Sequence, residues 1–434
     1  MEIKPDMQDA GGKRMNDVTD VAIVGAGGGG AVLALALAQK SISTIVLDQA
    51  SGPPSGLRGE ILQPNGQQVL DQLGVLRSLP ADAMRSLRTF HFCRAGGARL
   101  CSIDYGILPP PYNRAIVTLP NVAHHAIVDA LHKQATVSLR YDTSFVGLRT
   151  ERDRVVGLTV QGPQGTDTIT AKLVVGADGA LSKVREALKI PAELHLYPDG
   201  YLIAILESEE PVTEAFYYVG HKEILGLFPA TGNMVYLFYM IPSGSYEAIK
   251  GRGTRSLHAR WTAIAPQFRT LFERLSDWKQ TAYMPTGRVR AATWVADGAV
   301  LIGDAAHAMN PHASQGRMQA MVDAMTLAEL LPSCLADGDC SASRLRPYET
   351  ARRPQVTMLQ RLADQQVFYW NTGNPLIAYL RDRVFRTLDR NARLRYQVLT
   401  TTAGLRTTEP FSIMDRVIAT GFLPDLVNMI PRTS

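Results

Sequence analysis

The chain is poor in cysteine: Cys93, Cys101, Cys334 and Cys340 are the only four in 434 residues. None belongs to a CxxC pair, and none has a histidine at zinc spacing. A disulfide framework and a motif-type metal site are therefore excluded. A basic block is also missing. The 45 basic and 40 acidic side chains give a formal charge of +5, dispersed along the chain, so nucleic acid is not an expected partner. The apolar run at residues 31–38 is far too short to span a bilayer. Residues 1–17 are polar and mixed in charge, without the apolar stretch of a signal peptide, and are expected to form a disordered tail. These absences predict a cytoplasmic, reducing location. No internal repeat divides the chain.

What is present is an ordinary globular composition, 46% hydrophobic and 20% charged, with length for two or three domains. The chain is organised from residues 20–48, DVAIVGAGGGGAVLALALAQKSISTIVLD. This stretch reads as a buried strand, a glycine turn, a helix over about 28–40 and a second strand ending at Asp48. Gly25, Gly27 and Gly30 stand at GxGxxG spacing between strand and helix, the context of a dinucleotide fingerprint. The first glycine permits the tight turn, the second lets the backbone approach a pyrophosphate, and the third lets the helix pack on the sheet. Asp48 lies near the position, about 20 residues on, from which a carboxylate bonds a ribose.

Two later turns share that context. An apolar strand at 166–175 runs into Gly176-Ala177-Asp178-Gly179, and a strand at 299–302 runs into Gly303-Asp304-Ala305-Ala306-His307. Each puts a carboxylate at a strand's C-terminal end, where α/β sheets bind ligands. Ordinary helix capping is the alternative for both aspartates. Between them, residues 201–241 are strand-like and aromatic, and Phe228, Tyr236 and Phe238 are candidate walls of a pocket for a flat, apolar molecule. The region beyond residue 343 is helical, with Pro354 a kink or break.

The fold class predicted is mixed α/β, or α+β. A Rossmann-like domain (18–88, 112–190, 285–342) carries an inserted, mainly antiparallel sheet (89–111, 191–284), followed by a helical C-terminal region (343–434).

Taken together, these motifs resemble the FAD-dependent aromatic hydroxylases, the single-component flavoprotein monooxygenases typified by para-hydroxybenzoate hydroxylase. That family shows GxGxxG, then G-A-D-G-x-x-S-x-V-R, then GDAAH followed by P-x-x-G-Q-G, and finally YExxRRP. Here they read as Gly25/Gly27/Gly30, Asp178 with Ser182 and Arg185, Gly303 to His307 with Pro311 and Gln315-Gly316, and Tyr348-Glu349 with Arg352-Arg353-Pro354. The resemblance implies that the glycines and Arg58 hold the FAD pyrophosphate, Asp48 the adenosine ribose and Asp304 the ribityl chain. Gln315 and Gly316 would hold the flavin's pyrimidine edge, with Pro311 beside its reacting face. Asp178 belongs to a motif implicated in FAD and nicotinamide-nucleotide binding. His307 is read as structural.

The sequence departs from the family at Ser314 and Met318, which replace a glycine and an asparagine near the flavin. It departs again at Pro120 or Asn121, where an arginine or glutamine is usual.

The activity implied is NADH- or NADPH-driven hydroxylation or epoxidation through a C4a-hydroperoxyflavin, with O2 and a small apolar aromatic, polyprenyl or heteroaromatic substrate. The stretch Arg58 to Gly66 is similar to that of squalene epoxidases, and the basic, apolar C-terminal helices to those of ubiquinone-pathway hydroxylases. These likenesses leave association with a membrane surface open. A flavin reductase or dehydrogenase, or a non-catalytic flavoprotein-like partner, would share the same motifs.

Overall fold

The computed structural model describes residues 17–57, 60–119, 121–427 and 429. Arg58, Pro120 and the expected tail up to residue 16 lie outside them.

The first strand, Asp17–Val24, turns at Gly25 into the helix Gly28–Ala38, and the chain returns in the parallel strand Thr44–Leu47. This crossover starts an eight-stranded sheet in which Val137–Arg140, Thr44–Leu47, Asp17–Val24, Gly165–Gly176 and Ala299–Leu301 lie side by side and parallel. The helix is apolar on every side because it is covered on every side. Leu33, Leu35 and Leu37 are at most 1% exposed, each contributing roughly 1.5–3 kcal/mol of burial. Truncating one to alanine would cost about 2–5 kcal/mol.

Register decides where the motifs meet. Val24 pairs with Leu47 on one side and Gly176 on the other, and Gly176 pairs with Leu301. Four strands therefore end in one row, and the turns that follow them, at Gly25, Asp48, Asp178 and Asp304, emerge at the same edge. Open α/β sheets bind ligands at this edge.

A seven-stranded sheet, antiparallel except where Ala215–Val219 runs parallel to Thr89–Arg94, forms the second layer. One face packs on the helix Thr254–Ile264 through Trp261. The other faces the C-terminal helices Pro375–Arg390 and Ala392–Thr402.

Pro354 does not break its helix. Ala342–Trp370 runs continuously through Pro347 and Pro354. Proline removes one backbone bond there, but the adjoining turn is anchored from outside. Glu349 accepts from Thr293 Oγ1 and the Trp294 N–H, Arg352 reaches Asp323, and Arg353 reaches Glu349 and the Ala292 carbonyl.

Among the described residues no helix is long and apolar enough to cross a membrane, and no group of side chains could hold a metal ion.

Candidate active site

At the glycine turn, close approach dictates the sequence. Gly25 has φ +104°, and a Cβ there would stand 2.3 Å from the Ala177 carbonyl oxygen. A Cβ on Gly30 would stand 1.9 Å from the oxygen of Gly25. Gly27 is different: a Cβ there meets nothing within 4 Å. Its bare surface adjoins the first turn of Gly28–Ala38, which has neither a side-chain cap nor an acidic residue. Free N–H groups at an uncapped helix start, beside an open glycine, fit a phosphate group. Asp48 braces the turn, with Oδ2 accepting the Ala26 N–H at 2.8 Å and Oδ1 the Ala50 N–H at 2.9 Å.

Asp178 is engaged in capping. It accepts from Ser182 Oγ at 2.5 Å and from the Val184 N–H at 3.1 Å, at the start of the short helix Lys183–Ala187. Arg185 on that helix donates to the carbonyls of Ala305 and Ala180, joining the Asp178 turn to the Asp304 turn. Burial lowers its pKa, against the neighbouring charges of Asp178 and Glu186.

Asp304 is exposed at the start of Asp304–His307, and its Oδ1 lies 4.0 Å from the Cβ position of Gly316. Gly316 opens the long helix Gly316–Ala336, again without a side-chain cap or an acidic first turn. Pro311 begins the short turn before it, which Asn310 caps through the His312 N–H.

Gln315 serves by its buried side chain. Its Oε1 accepts from Asn65 Nδ2 at 3.0 Å and Gln319 Nε2 at 2.8 Å, and its Nε2 donates to the Thr402 carbonyl at 2.7 Å. Gln319 in turn accepts from Arg352, which is paired with Asp323. Asp323 accepts from the Gly303 N–H at 2.9 Å and His307 Nε2 at 2.5 Å. Burial alone would raise its carboxyl, but His307, Arg352 and the Gly303 N–H outweigh it and hold it at about 2. His307 is thus a structural partner of Asp323.

The departures from the family pattern have local accounts. Ser314 adopts φ +52°, a left-handed conformation that costs glycine little and serine more. Met318 is buried, its Sδ 2.0 Å from where a Cβ on Gly66 would stand. Asn121 is left-handed too, and its amide donates to the Gly56 carbonyl.

Beyond this row lies a cavity of about 410 Å³ between the seven-stranded sheet and the C-terminal helices. His312 and Ser314 are among the residues that line it. Its walls are aromatic: Phe92 stacks on Tyr217 at 5.4 Å and on Phe385 at 4.8 Å, and Trp370 lies 5.1 Å from the His312 ring. Tyr105 donates to Gln63 Oε1 at 2.9 Å within the wall. Burial lowers His312 to about 3, so its imidazole is neutral.

Phe228, Tyr236 and Phe238 lie behind this wall. Phe228 is 5.0 Å from Tyr217, Tyr236 is 6.1 Å from Phe228, and Phe238 stacks on Tyr201 at 3.7 Å. Of residues 201–241 only Tyr217 is among the described lining residues. The C-terminal helices settle over the neighbouring strands, where Asp389 accepts the Ser102 N–H. The lining contributed by Trp370, Phe385 and Val398 was not singled out in the sequence, where these residues look like ordinary helix faces.

Residues 18–363 match the family described as "FAD binding domain". A 6-methylpretetramide 4-monooxygenase from Streptomyces rimosus is 30% identical over 353 residues, 80% of this chain and 83% of its own. The 3-demethoxyubiquinol 3-hydroxylase of Escherichia coli (strain K12) is 26% identical over 412 residues, 90% of this chain and 100% of its own. In three dimensions, p-nitrophenol 4-monooxygenase PnpA from Pseudomonas putida DLL-E4 aligns with TM-score 0.78 at 21% identity, over 90% of this chain and 98% of that one. That last likeness shows the fold alone. The chain belongs to the family of FAD-dependent aromatic hydroxylases and is a flavoprotein monooxygenase that uses FAD with NAD(P)H.

Proposed function

We propose that this enzyme hydroxylates a multi-ring, largely apolar aromatic or heteroaromatic molecule in the cavity between sheet and C-terminal helices. The observation that carries this is the cavity itself, about 410 Å³ with aromatic walls. A cavity of about 150 Å³ already accommodates benzene, so there is room for two or three rings.

In this reading Gly25, Gly27 and Gly30 receive the FAD pyrophosphate and Asp48 the adenosine ribose. Gly303 and Asp304 face the ribityl hydroxyls, with Asp178 shaping the adjoining turn. The backbone at Gln315 and Gly316 holds the pyrimidine edge, beside Pro311. The open surface at Gly27 and the two uncapped helix starts support it. Bound FAD supplies electron transfer from NADH or NADPH and the activation of O2. The chain's side chains orient the substrate and exclude water. Phe92, Tyr217, Phe385 and Trp370 together present one aromatic wall to its rings, and neutral His312 hydrogen-bonds a ring substituent.

The test is NAD(P)H oxidation against a substrate panel. Multi-ring aromatics should stimulate it and yield products heavier by one oxygen; stimulation by hydroxybenzoates alone contradicts the proposal.

Ile413, Met414, Val417 and Phe422, which flank the lining residues Phe411, Arg416, Ala419 and Thr420 in sequence, are exposed, which supports association with a membrane surface when the substrate is lipophilic. Flotation with anionic vesicles is the expected outcome, and protein left wholly unbound contradicts it. The four cysteines are free, which supports a reducing, cytoplasmic location.

A further inference from the structure

We propose that Gln366 is a specificity-determining residue of the aromatic cavity, one that recognises a hydroxyl substituent on the ring system of the substrate. This rests on the cavity taken above as the substrate's place, and it specifies a polar group that the molecule bound there carries.

Two adjacent glutamines on the helix Ala342–Trp370 line the cavity, and they differ in what they hold. Gln365 Oε1 has a partner, Nη1 of Arg416 at 3.5 Å. Gln366 Oε1 is enclosed and has no hydrogen-bond partner. Its position is on the cavity face of the helix: Leu362, one turn before it, and Tyr369, one turn after, are also lining residues. Other polar side chains of the same wall are spent within the fold. Gln63 Oε1 accepts from Tyr105, and Thr401 Oγ1 donates to the Gln397 carbonyl at 2.7 Å. Arg381 donates to the Gly220 carbonyl at 2.8 Å and to Asp382.

An amide withdrawn from water without a partner is destabilising, and native folds keep few such groups. Leucine, of similar size, would fill this place in an apolar wall without that loss. An occupant that bonds the amide accounts for its presence. A terminal amide can turn about its last bond and exchange oxygen for nitrogen. A hydroxyl is donor and acceptor at once and answers either orientation, whereas a methyl group of about the same size answers neither. The residue therefore separates a hydroxylated ring system from its methyl counterpart.

The experiment measures binding of 2-naphthol and of 2-methylnaphthalene, matched in shape, to FAD-loaded full-length protein by equilibrium dialysis. Wild type is compared with Gln366→Leu and Gln366→Met. In both variants the ratio of 2-naphthol affinity to 2-methylnaphthalene affinity should fall by about tenfold, the loss of one hydrogen bond from an enclosed amide. The fall should come from weaker 2-naphthol binding, with 2-methylnaphthalene held as well as before or better. Equal weakening of both probes is the mark of a packing role and overturns the proposal. An unchanged ratio overturns it too, since the hydroxyl is then held by another group or by none. Should Gln366→Leu not fold, Gln366→Met decides by the same ratio. Wild-type protein that binds neither probe overturns the cavity as the site of aromatic substrates, a result distinct from failure of Gln366 alone.

Discussion

Arg352 Nε donates to Asp323 Oδ1 at 2.8 Å in a pair whose side chains are 5% and 0% exposed. Through its other oxygen Asp323 holds the Gly303 N–H and His307. The arginine of the C-terminal YExxRRP segment therefore fixes the turn that carries Asp304. Removing one partner from a buried pair strands a charge at a cost of about 3–5 kcal/mol. Arg352→Met should lower stability by about that much in denaturant unfolding and reduce FAD retention. The Arg352→Met, Asp323→Asn double variant should lose less than the two single losses summed. Wild-type unfolding of Arg352→Met contradicts this.

The same pair has a pH signature. The Asp323 carboxyl is held at about 2 in the fold, against about 3.9 unfolded. Its stabilisation is complete above about pH 4 and disappears as pH falls through about 2.

His312 acts in the same sense and at higher pH. It is neutral in the fold down to about pH 3, whereas the unfolded imidazole takes a proton at about 6.5. The unfolded state then binds more protons, and stability falls as pH drops below about 6.5, by up to about 1.4 kcal/mol per pH unit. His124, also lowered by burial, adds to the slope. Thermal unfolding of His312→Gln between pH 7 and 5 should show a shallower decline than wild type; parallel curves contradict it.

The glycines of the first turn should separate fold from ligand. Gly30→Ala drives a Cβ to 1.9 Å from a carbonyl oxygen and should destabilise the flavin-free protein. Gly27→Ala meets nothing in the chain and should leave flavin-free stability within about 1 kcal/mol, the scale of an N-cap change, while weakening FAD binding. The check is a melting curve and a flavin titration for each. Equal behaviour of the two variants contradicts the reading of Gly27 as the ligand's approach.

Val384, on the helix Pro375–Arg390, lines the cavity. Val384→Trp should raise KM for a multi-ring substrate by about tenfold, equivalent to about 1.4 kcal/mol, with FAD affinity unchanged. Steady-state kinetics and a flavin titration decide it.

The sheet edge that gathers the motifs was legible because close backbone approach demands particular residues: only glycine fits at Gly25 and Gly30, and strand-end carboxylates mark that edge. The cavity was not. Its walls come from Phe90 and Phe92, from Tyr217, and from helices after residue 360, and no local pattern records that these will face one another. Packing chose which aromatic strands are covered, leaving Phe228, Tyr236 and Phe238 behind the wall. Pro354 misled for a related reason, since anchors at Glu349, Arg352 and Arg353 outweigh the single backbone bond that proline removes.

The most direct test of the account is turnover under labelled dioxygen, with NAD(P)H and a multi-ring aromatic substrate from the panel. One labelled oxygen atom in the product, formed more slowly at low substrate concentration when Val384→Trp narrows the cavity, is the predicted result. A product without label, or labelled product formed equally well by that variant, contradicts oxygen transfer in this cavity.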